Sequence, residues 1–178
     1  LCLFPNLEHS MDDLIITYKD VIKKRLYEEK IEFSQQQLQA LCHELSLEKI
    51  DYIKANIECV PMTQKKGISV KGTLYAEVTH ACVISFVPVP QTITTQFHIH
   101  FTPDGKDDFM TEDYIMDELS EHMTAHYDVD FLENGVVNLH KTSREYFTLN
   151  LLTHPRAENA TFSGYIAGNI DPDEEAHI

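Results

Sequence analysis

The sequence predicts an α+β protein: an antiparallel β-sheet, free to curl into a partial barrel, with two or three α-helices packed against it. Three observations carry this expectation. Apolar residues alternate with polar ones at a period of two in successive runs between residues 53 and 101, separated by short turns. A helix-start signature, Ser34-Gln35-Gln36-Gln37, stands before that region, and a second apolar helical stripe follows it over residues 139–151. With 178 residues, 43% hydrophobic and 24% charged, the chain has the size and composition of one folded domain. That domain is assigned to residues 1–157, and residues 158–178, which include Asp171-Pro172-Asp173-Glu174-Glu175, to a polar, frayed tail.

In the first element the Ser34 hydroxyl and the Gln37 amide reciprocally satisfy free N–H groups at a helix start. Leu38, Leu41, Cys42 and Leu45 then fall on one buried helical stripe, which assigns Cys42 to the core. Ile50, Tyr52 and Lys54 alternate poorly, but Ile53, Ala55, Ile57 and Cys59 read as the inward positions of a strand ended by Pro61. Lys65-Lys66-Gly67 turns the chain into a long half-buried strand whose inner face is Ile68, Val70, Gly72, Leu74, Ala76 and Val78. The continuous apolar run Ala81 to Val87 predicts a strand covered on both faces and ended by Pro88 and Pro90. Ile93, Thr95, Phe97, Ile99 and Phe101 alternate up to a turn at Pro103-Asp104-Gly105. Consecutive strands joined by short turns imply an antiparallel meander. A short helix is expected within residues 113–125 and a strand over 127–132, turned at Asn134-Gly135. A final helix carries Leu139, Tyr146, Phe147, Leu149 and Leu151 as its stripe and ends at Pro155.

Fourteen Lys and Arg against 29 Asp and Glu leave a formal charge of −15. Such a polyanion repels a phosphate backbone, which excludes the generic electrostatic route to RNA or DNA and favours basic protein partners. The charge is localised. Residues 1–66 hold nine basic and eleven acidic side chains, whereas residues 104–133 hold eleven acids, among them Asp107, Asp108, Glu112 and Asp113, against Lys106 alone. Without a regularly spaced D-x-D-x-D-G loop this segment reads as a solvated, partner-facing surface rather than a calcium site. Lys65, Lys66 and Lys71, and Lys23-Lys24-Arg25 elsewhere, read as ordinary solvated cations, direct RNA contact being the weaker alternative.

Cys2, Cys42, Cys59 and Cys82 include no C-x-x-C pair, so they predict neither a zinc ribbon nor a redox motif, and a reducing compartment is expected. Leu1-Cys2-Leu3-Phe4-Pro5 lacks the basic lead of a signal peptide, and no apolar run approaches the roughly 18 residues of a membrane span. The expected location is cytoplasmic.

His98-x-His100 places two imidazoles on one face of a strand, a pair that binds a metal when a third ligand such as His80 approaches. A metal-dependent enzyme built on His98 and His100 is therefore the alternative reading. The glycine-rich lead and trailing glutamate of cupin-type sites are missing, so the two histidines are assigned to the solvent face of an amphipathic strand. His122-x-x-x-His126 lacks the glutamate of a zinc-hydrolase helix. Cys82, flanked by Ala81, Val83 and Ile84, reads as a neutral core thiol. No nucleophile elbow, Walker loop or dinucleotide fingerprint is present, and no cofactor is expected.

Residues 33–160 resemble the YceD family, the large ribosomal RNA accumulation proteins, in particular their alphaproteobacterial branch. The resemblance runs in order through Phe33-Ser34, Leu45-Ser46-Leu47-Glu48-Lys49-Ile50, the stretch Val70 to Ile84 with its Gly72 and Cys82, and Phe86-Val87-Pro88-Val89. It continues through Asn138-Leu139, Glu145-Tyr146, Leu149 to Leu151 and Pro155-Arg156. Asn138 stands where the family usually has aspartate and His140 where this branch often has glycine. The second cysteine of many relatives is missing, so no metal role of a cysteine pair carries over. The resemblance implies a non-enzymatic bacterial factor in the synthesis, processing or stability of large-subunit ribosomal RNA, with Gly72, Cys82, Pro88, Leu139 and Pro155 as structural positions. The charge distribution adds a mechanism: the acidic segment docks a basic ribosomal or assembly protein, with Glu145 and Arg156 on the neighbouring surface and ribosomal RNA engaged indirectly.

Overall fold

The computed structural model describes residues 14–62, 66–103 and 127–161. Two short strands, β1 (Ile15–Thr17) and β7 (Val136–Asn138), pair antiparallel. A second sheet has the order β2-β3-β4-β5-β6, formed by Tyr27–Glu32, Lys49–Pro61, Ile68–Ala81, Pro88–Thr102 and Asp128–Phe131. Helices α1 (Tyr18–Lys24), α2 (Gln35–Glu44) and α3 (Leu139–Leu149) complete the α+β architecture. The five-strand order has two ends, so the sheet is not a closed barrel. Strands β2 to β5 form the expected antiparallel meander, but β6 runs parallel to β5. A parallel neighbour needs a long connection, and the 25 residues from 103 to 127 supply one.

Capping chemistry sets the helix starts. Ser34 and Gln37 form the expected reciprocal box, Gln37 Oε1 accepting from Ser34 N at 2.8 Å. A second box, Thr17 with Asp20, starts α1, a helix absent from the sequence expectation although its Thr-x-x-Asp spacing is a helix-start signal. Asn138 Oδ1 accepts from Lys141 N at 3.0 Å and caps α3. Asparagine caps a helix about as well as aspartate, so the side chain present here suffices for the cap.

The core lies between one face of the large sheet and the helices. Ile53, Ala55, Ile57 and Cys59 of β3, the inner face of β4, and Ile93, Phe97, Ile99 and Phe101 of β5 meet Val21, Leu38, Leu41, Leu139 and Phe147. Cys42 is only half-buried, packed at the margin of this core. The poor alternation near residue 50 has a physical cause: the β3–β4 register shifts between Ile50 and Tyr52, which lets Ile50 and Ile53 both face inward three residues apart.

Two elements differ from expectation. Residues 82–87 are a turn rather than a strand: Phe86 has φ 59°, and Val83, Phe86 and Val87 are exposed. Pro88 and Pro90 lie at the start of β5 instead of ending a strand. Cys82 N donates to Val87 O at 2.9 Å, so hydrogen-bonded pairs recur at every second residue and both prolines fall between them. Their missing N–H groups point to an edge that β6 covers only from Ile99 onward. The final helix is also shorter than expected, ending at Leu149 rather than at Pro155, with Leu149 in solvent. The helix expected at 113–125, the turn at 104–105, His122, His126, Lys65 and most of the 158–178 tail lie outside the described residues.

Candidate functional site

Register places the even and odd residues of β2 to β5 on opposite faces, one packed and one open. The open face is a polar trough of about 880 Å³ whose walls include Glu28, Lys30, Asn56, Glu58, Lys71, Thr73, Gln96 and His98. Toward β6 the trough ends in a histidine cluster. Ser69 Oγ and His98 Nε2 are 2.9 Å apart, and the Nε2 atoms of His98 and His100 are 3.2 Å apart. Tyr127 stacks on His100 with ring centroids at 4.0 Å. Burial, His100 and the nearby Lys71 ammonium hold His98 below the ordinary imidazole value. His98 and His100 are thus half-buried rather than simply solvated.

His80, the expected third ligand, is elsewhere. It is buried near the opposite end of β4, where its Nε2 pairs with Gln91 Oε1 at 2.7 Å. Gln91 Nε2 donates to Asn150 O at 2.8 Å, so this histidine helps tie the β4–β5 hairpin to the end of α3.

Cys82 is buried as expected but in different chemistry. Its Sγ receives N–H groups from Ile84 and Ser85 at 3.5 Å and from Ala157 at 3.4 Å. The Ser85 hydroxyl, followed by these backbone donors, pulls the thiol down to about 6, against the opposing effect of burial. Cys59, equally buried but among apolar side chains, is pushed up to about 12. Pro155 is buried and its carbonyl accepts from Val83 N at 2.9 Å, clamping the same turn. Arg156 follows in this extended segment, exposed, and does not share a helix with Glu145.

A thiol depressed from 9 to about 6 in the native state stabilises the fold fully above pH 9 and loses that contribution as pH falls through about 6. The urea midpoint of the wild type should therefore pull ahead of that of Cys82→Ala progressively between pH 6 and 9. A gap that stays constant over this range would rule out a native thiolate.

A second concavity, of about 600 Å³, lies between α2, α3 and β6. Phe33, Leu41, Phe101 and Val137 contribute an apolar floor, and Glu44, Asp130, Glu133 and Glu145 stand on its rim with Lys141 and Arg144. Arg144 pairs with Glu44, and Lys141 lies 3.7 Å from Glu133. The Glu145 carboxyl is pushed above its ordinary value by burial first; Asp130 and Glu133 add to this while Lys141 and Arg144 oppose it. The groove thus gathers the described end of the acidic segment beside Glu145, a proximity that spacing alone did not reveal. Asp107, Asp108, Glu112 and Asp113 lie outside the described residues.

Fold and sites together define a class: an α+β protein with one packed sheet face, one polar trough and an acid-rimmed groove. No family model, curated protein or solved structure matches the chain.

Proposed function

We propose that this protein is a non-enzymatic bacterial factor supporting the synthesis, processing or stability of large-subunit ribosomal RNA, and that it acts by binding a basic ribosomal or assembly protein in the cytoplasm. The biological assignment rests on the ordered YceD-like motifs between Phe33 and Arg156. The observation that carries the mechanism is the groove rim, where Glu145 is held partly desolvated beside Asp130 and Glu133. A cationic side chain entering there would relieve like-charge repulsion, and the exposed Phe131 beside it offers apolar contact. Attraction of this kind speeds encounter and weakens with salt.

In cells lacking the protein, sucrose-gradient profiles should show large subunits depleted relative to small ones. The wild type should restore the ratio, and Asp130→Lys/Glu133→Lys/Glu145→Lys should fail to do so while remaining folded. Recovery of ribosomal proteins with the purified chain should fall as salt rises. An unaltered subunit ratio in the deleted strain would overturn the assignment; full rescue by the charge-reversed chain would overturn the groove mechanism alone.

A further inference from the structure

The open sheet face ought to be wet throughout, yet near β6 it buries polar side chains. Ser69 and Thr102 belong to that face by register, both are buried, and the Thr102 hydroxyl has no hydrogen-bond partner among the described residues. His98 and His100 stand on the same face, with Ser69 directly opposite His100 across the β4–β5 ladder.

Hydrogen bonding at His98 Nε2 is over-subscribed. A neutral imidazole offers there either one N–H or one lone pair. Ser69 Oγ at 2.9 Å and His100 Nε2 at 3.2 Å both address that single position. Protonating His98 leaves a single N–H at Nε2 whichever tautomer it starts from, so the crowding there is not eased, and its burial beside Lys71 opposes the charge. A metal ion accommodates the two imidazoles directly. With metal–nitrogen bonds of roughly 2.0–2.1 Å, two nitrogens at this separation subtend about 100° at a shared centre, near the tetrahedral angle. The pair already has the spacing of two ligands on one ion, and stacking of Tyr127 on His100 restrains one of the rings.

We propose that His98 and His100 form a two-imidazole site for a borderline-soft divalent transition-metal ion, with zinc as the type. Imidazole nitrogen suits zinc, copper(II) and nickel and not the hard cations magnesium and calcium. Among the described residues no third His, Cys, Asp or Glu completes a cluster, and the Ser69 hydroxyl stands 2.9 Å from His98 Nε2. The Lys71 ammonium beside His98 opposes a cation, which makes the site weak and gives it a testable electrostatic signature. The site is independent of the groove reading and assigns no reaction to the protein.

The test is a zinc titration of the intact chain followed by NMR of the histidine ring nitrogens, assigned with His98→Gln and His100→Gln. In the wild type the Nε2 signals of these two residues should move together and saturate at one equivalent, while magnesium and calcium leave them in place. Either single substitution should abolish the saturable shift of the remaining ring, and Lys71→Gln should tighten binding. The chain holds ten histidines and 29 carboxylates, so zinc uptake alone decides nothing. Zinc saturating other residues while the His98 and His100 signals stay put would overturn the proposal. Because this readout is made on the wild type, a variant that fails to fold does not remove the test.

Discussion

Phe147→Ala is expected to cost about 3–5 kcal/mol of folding stability, the range for emptying a fully buried aromatic site. Phe147 is fully buried where α3 packs against β1, β4 and β5. A domain stabilised by only about 5–15 kcal/mol would be driven close to unfolding by that loss. The informative control is Leu149→Ala. Two residues on from Phe147 is about 200° around the helix, and Leu149 is 77% exposed, so its truncation should change stability by less than about 0.5 kcal/mol. Urea denaturation of the two variants settles the orientation of α3. Equal costs would mean that the helix presents a different face to the sheet.

Gly72→Ala is expected to destabilise by about 1–3 kcal/mol through overpacking. Gly72 does not have positive φ, so the requirement is one of space. It lies opposite Phe97 across the ladder, and an added Cβ would stand 2.7 Å from both Cε carbons of that ring and closer still to Cζ. The ring has little freedom to yield. Phe97 is buried and stacked on Tyr146 with centroids at 4.5 Å, and the Tyr146 hydroxyl in turn donates to Asp128. A double-mutant cycle isolates the clash: in a Phe97→Ala background the glycine substitution should cost little or nothing further. Equal penalties in both backgrounds would show that the ring is not what demands a glycine here.

These two positions also show where sequence reasoning succeeds and where it fails. The stripe of α3 was misphased because Thr142 and Ser143, polar by type, occupy its buried middle; their hydroxyls bond the Asn138 and Leu139 carbonyls and need no water. Leu149 filled the apparent gap in the pattern although it faces outward. Gly72, by contrast, falls on the inner face of its strand by alternation, but the reason for a glycine there, a phenylalanine 25 residues further on, appears only when β4 and β5 are in register. The apolar run 81–87 misled because a tight turn can hold its chain through backbone and sulfur hydrogen bonds while leaving Val83, Phe86 and Val87 exposed.

The candidate sites divide in the same way. The period-two pattern correctly placed His98 and His100 on one open strand face, because alternation is a local property of extended backbone. It could not separate them from His80, which lies on the packed face near the far end of β4. Nor could it bring Asp130 and Glu133 to Glu145, or the N–H groups of Ser85 and Ala157 to one sulfur. Strand alternation, the Ser34 cap and the uneven charge were determined by sequence alone, since each depends on neighbours a few residues apart. The parallel β6, the N–H cradle of Cys82 and the acidic groove were decided by tertiary structure, because each joins groups distant in the chain whose contacts form only when the sheet, the helices and the intervening turns pack together.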